Sequence, residues 1–161
     1  MLKITRNELV TNQKYMKRYQ DHAIFLLRIA LATGFLSAVA SRLGLWGKHS
    51  SGWESFLVYT EKVNSFASKS IIPAIAITAT IAEILLALLL LIGCQTRLAS
   101  VGASVLTFVF ALAMTYSFGI KDPLDYSVFT FSMAAFLLST VDNYRWSLDE
   151  ILKNKKQIKN Q

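Results

Sequence analysis

The sequence predicts an all-α protein: an integral membrane four-helix bundle with an extra amphipathic helix between the first and second spans. Four apolar runs are the main evidence, because about 20 residues at a rise of ~1.5 Å cross a hydrocarbon core of ~30 Å. Backbone amides in lipid must be hydrogen-bonded within their own segment, so these runs are expected to be helices. They cover roughly Ala23 to Trp46, Ile71 to Gly93, Arg97 to Phe118 and Leu124 to Val141.

Composition supports the same class. Of the 161 residues, 53% are hydrophobic, and the mean hydropathy of +0.41 is too high for an ordinary soluble domain. The length suggests one domain. We divide it into an N-terminal tail (1–22), a transmembrane domain (23–141) and a C-terminal tail (142–161). Cys94 is the only cysteine, so neither a disulfide framework nor a cysteine zinc site is expected.

The distribution of basic residues predicts the orientation. Lys and Arg near spanning segments mark the cytoplasmic side, so both termini are expected to be cytoplasmic in a multi-pass protein. The same residues would attract anionic lipid, and nucleic-acid binding is not expected. The net charge is +7, and ten of the 17 basic residues lie in the tails: Lys3, Arg6, Lys14, Lys17, Arg18, Arg145, Lys153, Lys155, Lys156 and Lys159.

A connection of 24 residues, Gly47 to Ser70, joins the first two spans. Ser51 and Glu54 form a capping-box pattern, and apolar residues follow at helical spacing. The pattern predicts an amphipathic helix that lies in the outer interface or covers the mouth of the bundle as a lid. We favour the lid, because a loop of this length usually has a use.

Polar motifs mark the other helix ends. Gly93 is expected to end the second span, and Thr96 is expected to cap the third. Asp122 is predicted to cap the fourth span. Ser147 and Glu150 form a second capping box, which predicts a short amphipathic helix after the last span.

The main candidate for function is Glu83, an acid near the middle of the second span. An ionisable group at that depth is costly and indicates a functional site by default. Ala76, Thr80 and Ala87 share its helix face and would let a neighbouring helix approach closely, so the carboxylate is expected to point into the bundle. Glu83 is either functional or a structural acid that is internally paired or protonated.

Arg28 and Arg42 provide candidate partners in the first span. They are 14 residues apart, which at ~100° per residue places them within about 40° of one helix face. Arg28 could extend to the headgroups or turn inward to meet Glu83. The side chains of Arg28 and Glu83 would lean apart in antiparallel helices, so this pairing is reachable but not forced.

Other polar residues complete the candidate pocket. Asp125 is best explained as a first-turn acid favoured by the helix dipole, and the alternative is that Asp125 and Tyr126 face Arg42 and form a polar entrance. Thr107 belongs to a small, polar face of the third span. The candidate pocket residues are Arg28, Arg42, Thr80, Glu83, Thr107, Asp125 and Tyr126.

No covalently bound cofactor and no metal are expected. The only histidines, His22 and His49, would lie at opposite surfaces and could not share a metal or a haem. The remaining polar set can hold a quinone headgroup, a small anion or a lipid headgroup, and it can relay a proton. It does not transfer electrons by itself.

Three segments resemble the DoxX family: RIALATGFLSAVASRLGLWG, ATIAEILLALLLLIGCQTRLA and GIKDPLDYSVFTFSMAAFLL. The most recognisable pattern is an acid, a Leu-rich stretch and Gly-x-x-Thr-Arg, carried here by Glu83, Gly93, Thr96 and Arg97. The resemblance covers about residues 23 to 141. Members often have an acid before the arginine that matches Arg42, where this chain has Ser41.

The resemblance implies a small bacterial inner-membrane protein with four spans. The family is related to the membrane subunit of thiosulfate:quinone oxidoreductase, and some members are implicated in redox or oxidative-stress complexes. The first hypothesis is therefore an accessory or quinone-interacting subunit, with a quinone as candidate cofactor and a redox protein as candidate partner. A small-solute or lipid carrier and a non-catalytic membrane scaffold are the alternatives, and a homo-oligomer is compatible with all three.

Overall fold

The computed structural model describes the backbone of residues 6 to 159 and the side chains of residues 15 to 158. This part of the chain is helical and has no β-strand, which confirms the all-α class. The tail side chains of Lys3, Arg6, Lys14 and Lys159 lie outside the described residues. The helices are α1 (Arg6–Arg42), α2 (Trp53–Val63), α3 (Ile72–Ile92), α4 (Thr96–Phe118), α5 (Lys121–Asp125), α6 (Val128–Ser139) and α7 (Leu148–Lys159).

Three segments are long and apolar enough to cross a membrane: Tyr15–Arg42, Lys69–Ile92 and Thr96–Phe118. They correspond to the first three predicted spans. Helix α1 has 37 residues and is therefore about 55 Å long, well above the ~30 Å of a hydrocarbon core. Residues 6–22, which we assigned to a tail, continue the first span as one helix and project beyond the bundle.

The fourth predicted span differs from the expectation. Instead of one helix over Leu124 to Val141, the chain forms α5, a break, and α6 with 12 residues. Ser127 adopts a left-handed conformation (φ 56°), which interrupts the helical hydrogen bonds between the two helices. The predicted cap at Asp122 is also wrong, because α5 begins after Ile120 and no side chain caps it.

The long helices pack as antiparallel neighbours around a core of small and aliphatic side chains. Helix α1 packs against α3 and α6, and α4 packs against α3 and α6, which closes a ring of four helices. Ala32, Ala87, Ala103 and Ala135 are completely buried where the helices meet, so their backbones approach closely. Between α4 and α6, the Ser132 hydroxyl donates to the Ser104 carbonyl at 2.9 Å.

Helix α2 packs against α3 and α4 at one end of this ring, which we name the α2 end. It begins after Gly52 and has no side-chain cap, so the predicted capping role of Ser51 is wrong. The Ser51 amide instead donates to the Ser41 hydroxyl at 3.0 Å, which ties the start of α2 to α1. At the other end of α2, the Ser117 hydroxyl of α4 donates to the Val63 carbonyl at 2.6 Å.

The opposite end of the ring, which we name the hairpin end, carries the turn between α3 and α4 and helix α7. Gly93 ends α3 in a left-handed conformation (φ 72°), as predicted. Thr96 does not cap α4; the Asp149 carboxylate of α7 accepts from the backbone amides of Gln95 and Thr96, both at 2.8 Å. The Ser147 hydroxyl accepts from the Glu150 amide at 3.1 Å, which confirms the second capping box.

Replacing Gly93 with alanine is expected to destabilise the protein more than replacing Gly44. Both glycines have a positive φ, so both substitutions carry the roughly 1–2 kcal/mol cost of a left-handed L-residue. A Cβ at Gly93 would also lie 2.5 Å from the Ser147 Cβ, whereas Gly44 has nothing within 4 Å. Thermal unfolding in detergent, followed by tryptophan fluorescence, should show a clearly larger fall in Tm for Gly93→Ala. Equal falls would contradict the packing of the C-terminal segment on the hairpin.

Candidate functional site

The centre of the candidate site is an ion pair between Arg42, the last residue of α1, and Glu83 of α3. The Arg42 Nη1 lies 2.6 Å from Glu83 Oε2, and Nη2 lies 3.1 Å from Oε1. Two parallel hydrogen bonds of this kind fix both distance and orientation. The side chains are only 13% and 14% exposed, so the pair joins the two helices inside the protein.

Two further groups enclose the Arg42 guanidinium. Its Nη1 also donates to the Thr80 hydroxyl at 3.2 Å, and Thr80 donates in turn to the Ala76 carbonyl at 2.8 Å. The Phe56 ring of α2 covers the guanidinium, with 3.9 Å between the ring centroid and Cζ. The cation is therefore held by acceptors in its plane and by an aromatic face above it.

The direction of side chains on a helix explains why these residues meet. Side chains lean toward the N-terminus of their own helix. Arg42 at the end of α1 therefore leans into the bundle, while Glu83 leans toward the α2 end. Glu83 is about 17 Å from the start of α3, near the middle of this helix, and the two groups converge from opposite directions.

The predicted pairing of Arg28 with Glu83 is wrong. Arg28 lies about 21 Å from Arg42 along α1, at the hairpin end, and it leans away from the acid. Its side chain is almost fully buried, and Nη2 donates to the Trp146 carbonyl at 2.6 Å. A Cβ on Gly93 would lie 2.8 Å from Nη1, so the guanidinium lies against the C-terminus of α3, where a cation is favoured by the helix dipole.

The structure places the remaining candidates away from the ion pair. The Thr107 hydroxyl donates to the Ala103 carbonyl of its own helix at 2.7 Å. Asp125 forms a surface ion pair with Lys121, and Tyr126 is 72% exposed. The polar entrance predicted from Asp125, Tyr126 and Arg42 is therefore absent from the described contacts. Only Arg42, Thr80 and Glu83 of the seven candidates come together.

Sequence reasoning missed the contribution of Phe56. This residue lies on the predicted apolar face of α2, but no local pattern shows that this face would cover Arg42. A second contact of α2 was missed too: the Tyr59 hydroxyl lies 3.9 Å from the Met114 sulfur of α4, and partial burial raises the pKa of Tyr59. Among the described residues, no group of three or more His, Cys, Asp or Glu could hold a metal ion.

The arrangement offers hydrogen-bond donors, an acceptor and an aromatic ring within a small, mostly apolar volume. Arg42 stays charged and can donate to a ligand oxygen, and Glu83 can accept a ligand proton. Water is largely excluded from the pair, so each of these interactions is stronger than it would be in solution.

Removing one member of the pair is expected to cost far more than removing both. Arg42→Met leaves Glu83 as an uncompensated buried charge and should destabilise the protein by about 3–5 kcal/mol, as should Glu83→Leu. The double variant Arg42→Met/Glu83→Leu should be close to the wild type, because two apolar side chains replace two charges. Unfolding in mixed detergent micelles would measure this double-mutant cycle. Additive single effects would contradict the coupling between the two residues.

Comparison with known proteins assigns the family. A family model described as DoxX matches residues 23–116, which is more than half of the chain. The matched region ends before α5, earlier than the expected limit at residue 141, and it contains Arg42, Phe56, Thr80 and Glu83. No curated protein and no solved structure matches the chain. On the strength of the family match, this helical membrane protein belongs to the DoxX family.

Proposed function

We propose that this protein is an accessory, quinone-interacting subunit of a membrane redox or oxidative-stress system, and that the quinone ring binds at the Arg42–Glu83 site. The observation that carries the proposal is the bidentate ion pair near the middle of a spanning helix. Placing such a pair within the membrane costs free energy, so its presence there indicates a functional site. A lipid-soluble ligand with oxygen acceptors can enter the membrane to the depth of this pair.

The polar groups of the site complement both states of a quinone. Arg42 can donate to a carbonyl oxygen of the oxidised ring, and the Thr80 hydroxyl lies beside it at 3.2 Å from Nη1. Glu83 can accept a hydrogen bond from a hydroxyl of the reduced ring. Phe56 provides an aromatic face against which a planar ring can stack.

Access to the site requires movement of α2. Phe56 covers Arg42, and its ring also packs against Trp53 at a centroid distance of 5.6 Å. Hydrogen bonds hold the two ends of α2 to the bundle, at Ser51 and Val63, and between them the Tyr59 hydroxyl contacts the Met114 sulfur amid aromatic contacts. A tilt of the first turns of α2 would uncover the Arg42 guanidinium and leave the rest of the fold intact. Helix α2 would then act as the lid that the sequence predicts.

The role we assign to the chain is binding and proton transfer. A bound quinone supplies the redox chemistry by accepting two electrons and two protons. Glu83 would relay both protons in turn from water to the ring, and Arg42 would stabilise charge on the ring oxygen before each proton arrives. A partner redox protein must deliver the electrons, which makes this chain a subunit of a larger system.

We also propose that the chain crosses a bacterial inner membrane four times, with the hairpin end in the cytoplasm. Helices α5 and α6 would make the fourth crossing: α6 packs against α4, and Met133, Phe136 and Leu137 expose apolar side chains away from the ring.

The charge distribution supports the proposed orientation in the membrane. Among the described side chains, seven exposed basic residues lie at the hairpin end and four at the α2 end: Lys17, Arg18, Arg97, Arg145, Lys153, Lys155 and Lys156 against Lys48, Lys62, Lys69 and Lys121.

Thiol labelling should establish this topology. Cys94, the only cysteine, lies at the hairpin end and is partly exposed. A membrane-impermeant maleimide should label it in inverted vesicles and leave it unlabelled in intact spheroplasts. In a Cys94→Ser background, His49→Cys and Tyr126→Cys should show the reverse pattern, and Lys155→Cys should behave like Cys94. Labelling of Tyr126→Cys and Lys155→Cys from the same side would rule out a fourth crossing.

Glu83→Gln should weaken quinone binding, with Asp125→Asn as the matched control. Both substitutions remove one carboxylate at or near the α2 end, but Asp125 lies on the surface and pairs with Lys121. Loss of the hydrogen bond from a ring hydroxyl to the Glu83 carboxylate should weaken the affinity for a short-chain benzoquinol, the reduced form, at least about tenfold. Quenching of tryptophan fluorescence would follow binding, because Trp53 packs against Phe56.

The result separates the proposal from a purely structural role. Wild-type affinity in Glu83→Gln, or in the double variant Arg42→Gln/Glu83→Gln, would show that the pair only supports the fold. An equal loss in Asp125→Asn would show that the effect is general electrostatics and not the site.

A further inference from the structure

A second polar region lies at the hairpin end, far from the Arg42–Glu83 site. It is an open cavity of about 1250 Å³ between the part of α1 that projects beyond the bundle and residues 142–157. Lys17 and Arg18 line it from α1, and Arg145 and Lys153 line it from the C-terminal segment. None of the residues around the ion pair belongs to its wall, so the cavity needs a separate explanation.

The acidic residues of the cavity wall are engaged in internal contacts. The wall contains four carboxylates, and each has a partner in the described structure, at distances from 2.8 to 3.6 Å. These contacts join Asp21 to Arg145, Asp142 to Arg97, Asp149 to the amides of Gln95 and Thr96, and Glu150 to the amide of Trp146.

Three of the four basic residues of the wall form no ion pair with a carboxylate in the described structure. Among the side chains of residues 15 to 158, no hydrogen bond or ion pair engages the head group of Lys17 or Arg18. Lys153 donates to the Asn143 amide oxygen at 2.8 Å, which is a neutral partner. The wall holds four basic side chains and four carboxylates, but Lys17, Arg18 and Lys153 form no contact with a carboxylate among residues 15 to 158.

A buried cation lies beneath the same wall. The Nη2 of Arg28 donates to the carbonyl of Trp146, a wall residue, while Nε and Nη1 have no partner in the described part of the chain. Because Arg28 is shielded from solvent, its charge is poorly screened. With Arg28 and with Arg97, which pairs with Asp142, six basic groups stand against the four carboxylates of this region, so the potential there is positive. An anion is the ligand that this potential attracts.

The position of the cavity indicates where that anion comes from. The apolar part of α1 begins at Ala23, directly after the wall residue His22, and the Trp146 ring packs against Phe25 at 5.6 Å. Tryptophan at this position is typical of the boundary between membrane and water. One turn further into the membrane, Leu26 is 64% exposed and offers an apolar surface for an acyl chain.

We propose that this cavity binds the phosphate headgroup of an anionic membrane phospholipid, held between Lys17 and Arg18 of α1 and Lys153 of α7. Lysine and arginine are the usual partners of phosphate, and three of them converge on one cavity at the lipid boundary. The bound lipid joins the projecting part of α1 to the C-terminal helix. This site is independent of the quinone proposal, because the two share no residue.

The test is a native mass spectrometry titration of the full-length protein with phosphatidylglycerol, phosphatidylcholine and inorganic phosphate. The variant Lys17→Gln/Arg18→Gln removes two charges from the cavity. The matched control Lys155→Gln/Lys156→Gln removes two exposed charges of α7 that do not line it. We expect the affinity for phosphatidylglycerol to fall at least about tenfold in the cavity variant and to change less than about twofold in the control.

The outcomes distinguish the sources of phosphate. Retention of phosphatidylglycerol in preference to phosphatidylcholine, lost only in the cavity variant, supports the proposal. Equal losses in both variants would show diffuse attraction to basic tails and overturn it. Displacement of the lipid by millimolar inorganic phosphate would identify free phosphate as the ligand and would overturn the lipid assignment.

Discussion

The structure depends on the cost of holding two opposite charges in a mostly apolar environment. Taking Arg42 and Glu83 out of water is unfavourable, and their attraction offsets this cost only when the geometry is close and the remaining hydrogen-bonding groups are satisfied. The bidentate contact, the Thr80 hydroxyl and the Phe56 ring together meet this requirement. The pair therefore fixes the register of α1 against α3 and gives α2 a defined place on the bundle.

The arginines Arg42 and Arg28, at opposite ends of the bundle, have different kinds of partner. At the α2 end, Arg42 is matched by a carboxylate. At the hairpin end, Arg28 has no carboxylate within hydrogen-bonding distance; it meets a backbone carbonyl of the C-terminal segment and the end of α3. The C-terminal segment contributes Trp146 to Arg28 and Asp149 to the start of α4. It is thus a structural part of the bundle, although its composition resembles a soluble tail.

Sequence patterns correctly predicted the features that depend on residues close together in the chain. The apolar runs predicted α1, α3 and α4, the turn at Gly93 was correct, and Ser147 caps α7 as expected. The break at Ser127 was missed, because neither glycine nor proline marks this left-handed position in the sequence.

The partner of Glu83 was also missed, although the physical rule that identifies it was available. Leaning of side chains toward the helix N-terminus disfavoured Arg28, and the same rule favours Arg42. Contacts between distant parts of the chain, such as Phe56 over Arg42, depend on how the helices assemble and have no local signature.

The stability of the pair also limits how a ligand can use the site. Separating Arg42 from Glu83 without a replacement would leave two buried charges unpaired, which costs several kcal/mol. A ligand must therefore supply acceptors to Arg42 or a donor to Glu83 as it enters, so that each hydrogen bond is exchanged and not lost. In the proposed function the reduced ring does both, because a ring oxygen can accept from Arg42 and a ring hydroxyl can donate to Glu83, whereas the oxidised ring offers acceptors to Arg42 alone. A ligand with a single polar group would satisfy one partner and leave the other unpaired, and a purely apolar ligand would satisfy neither. Under the proposed function, the closed pair under Phe56 favours a planar ligand with oxygen acceptors over the acyl chains that surround the protein.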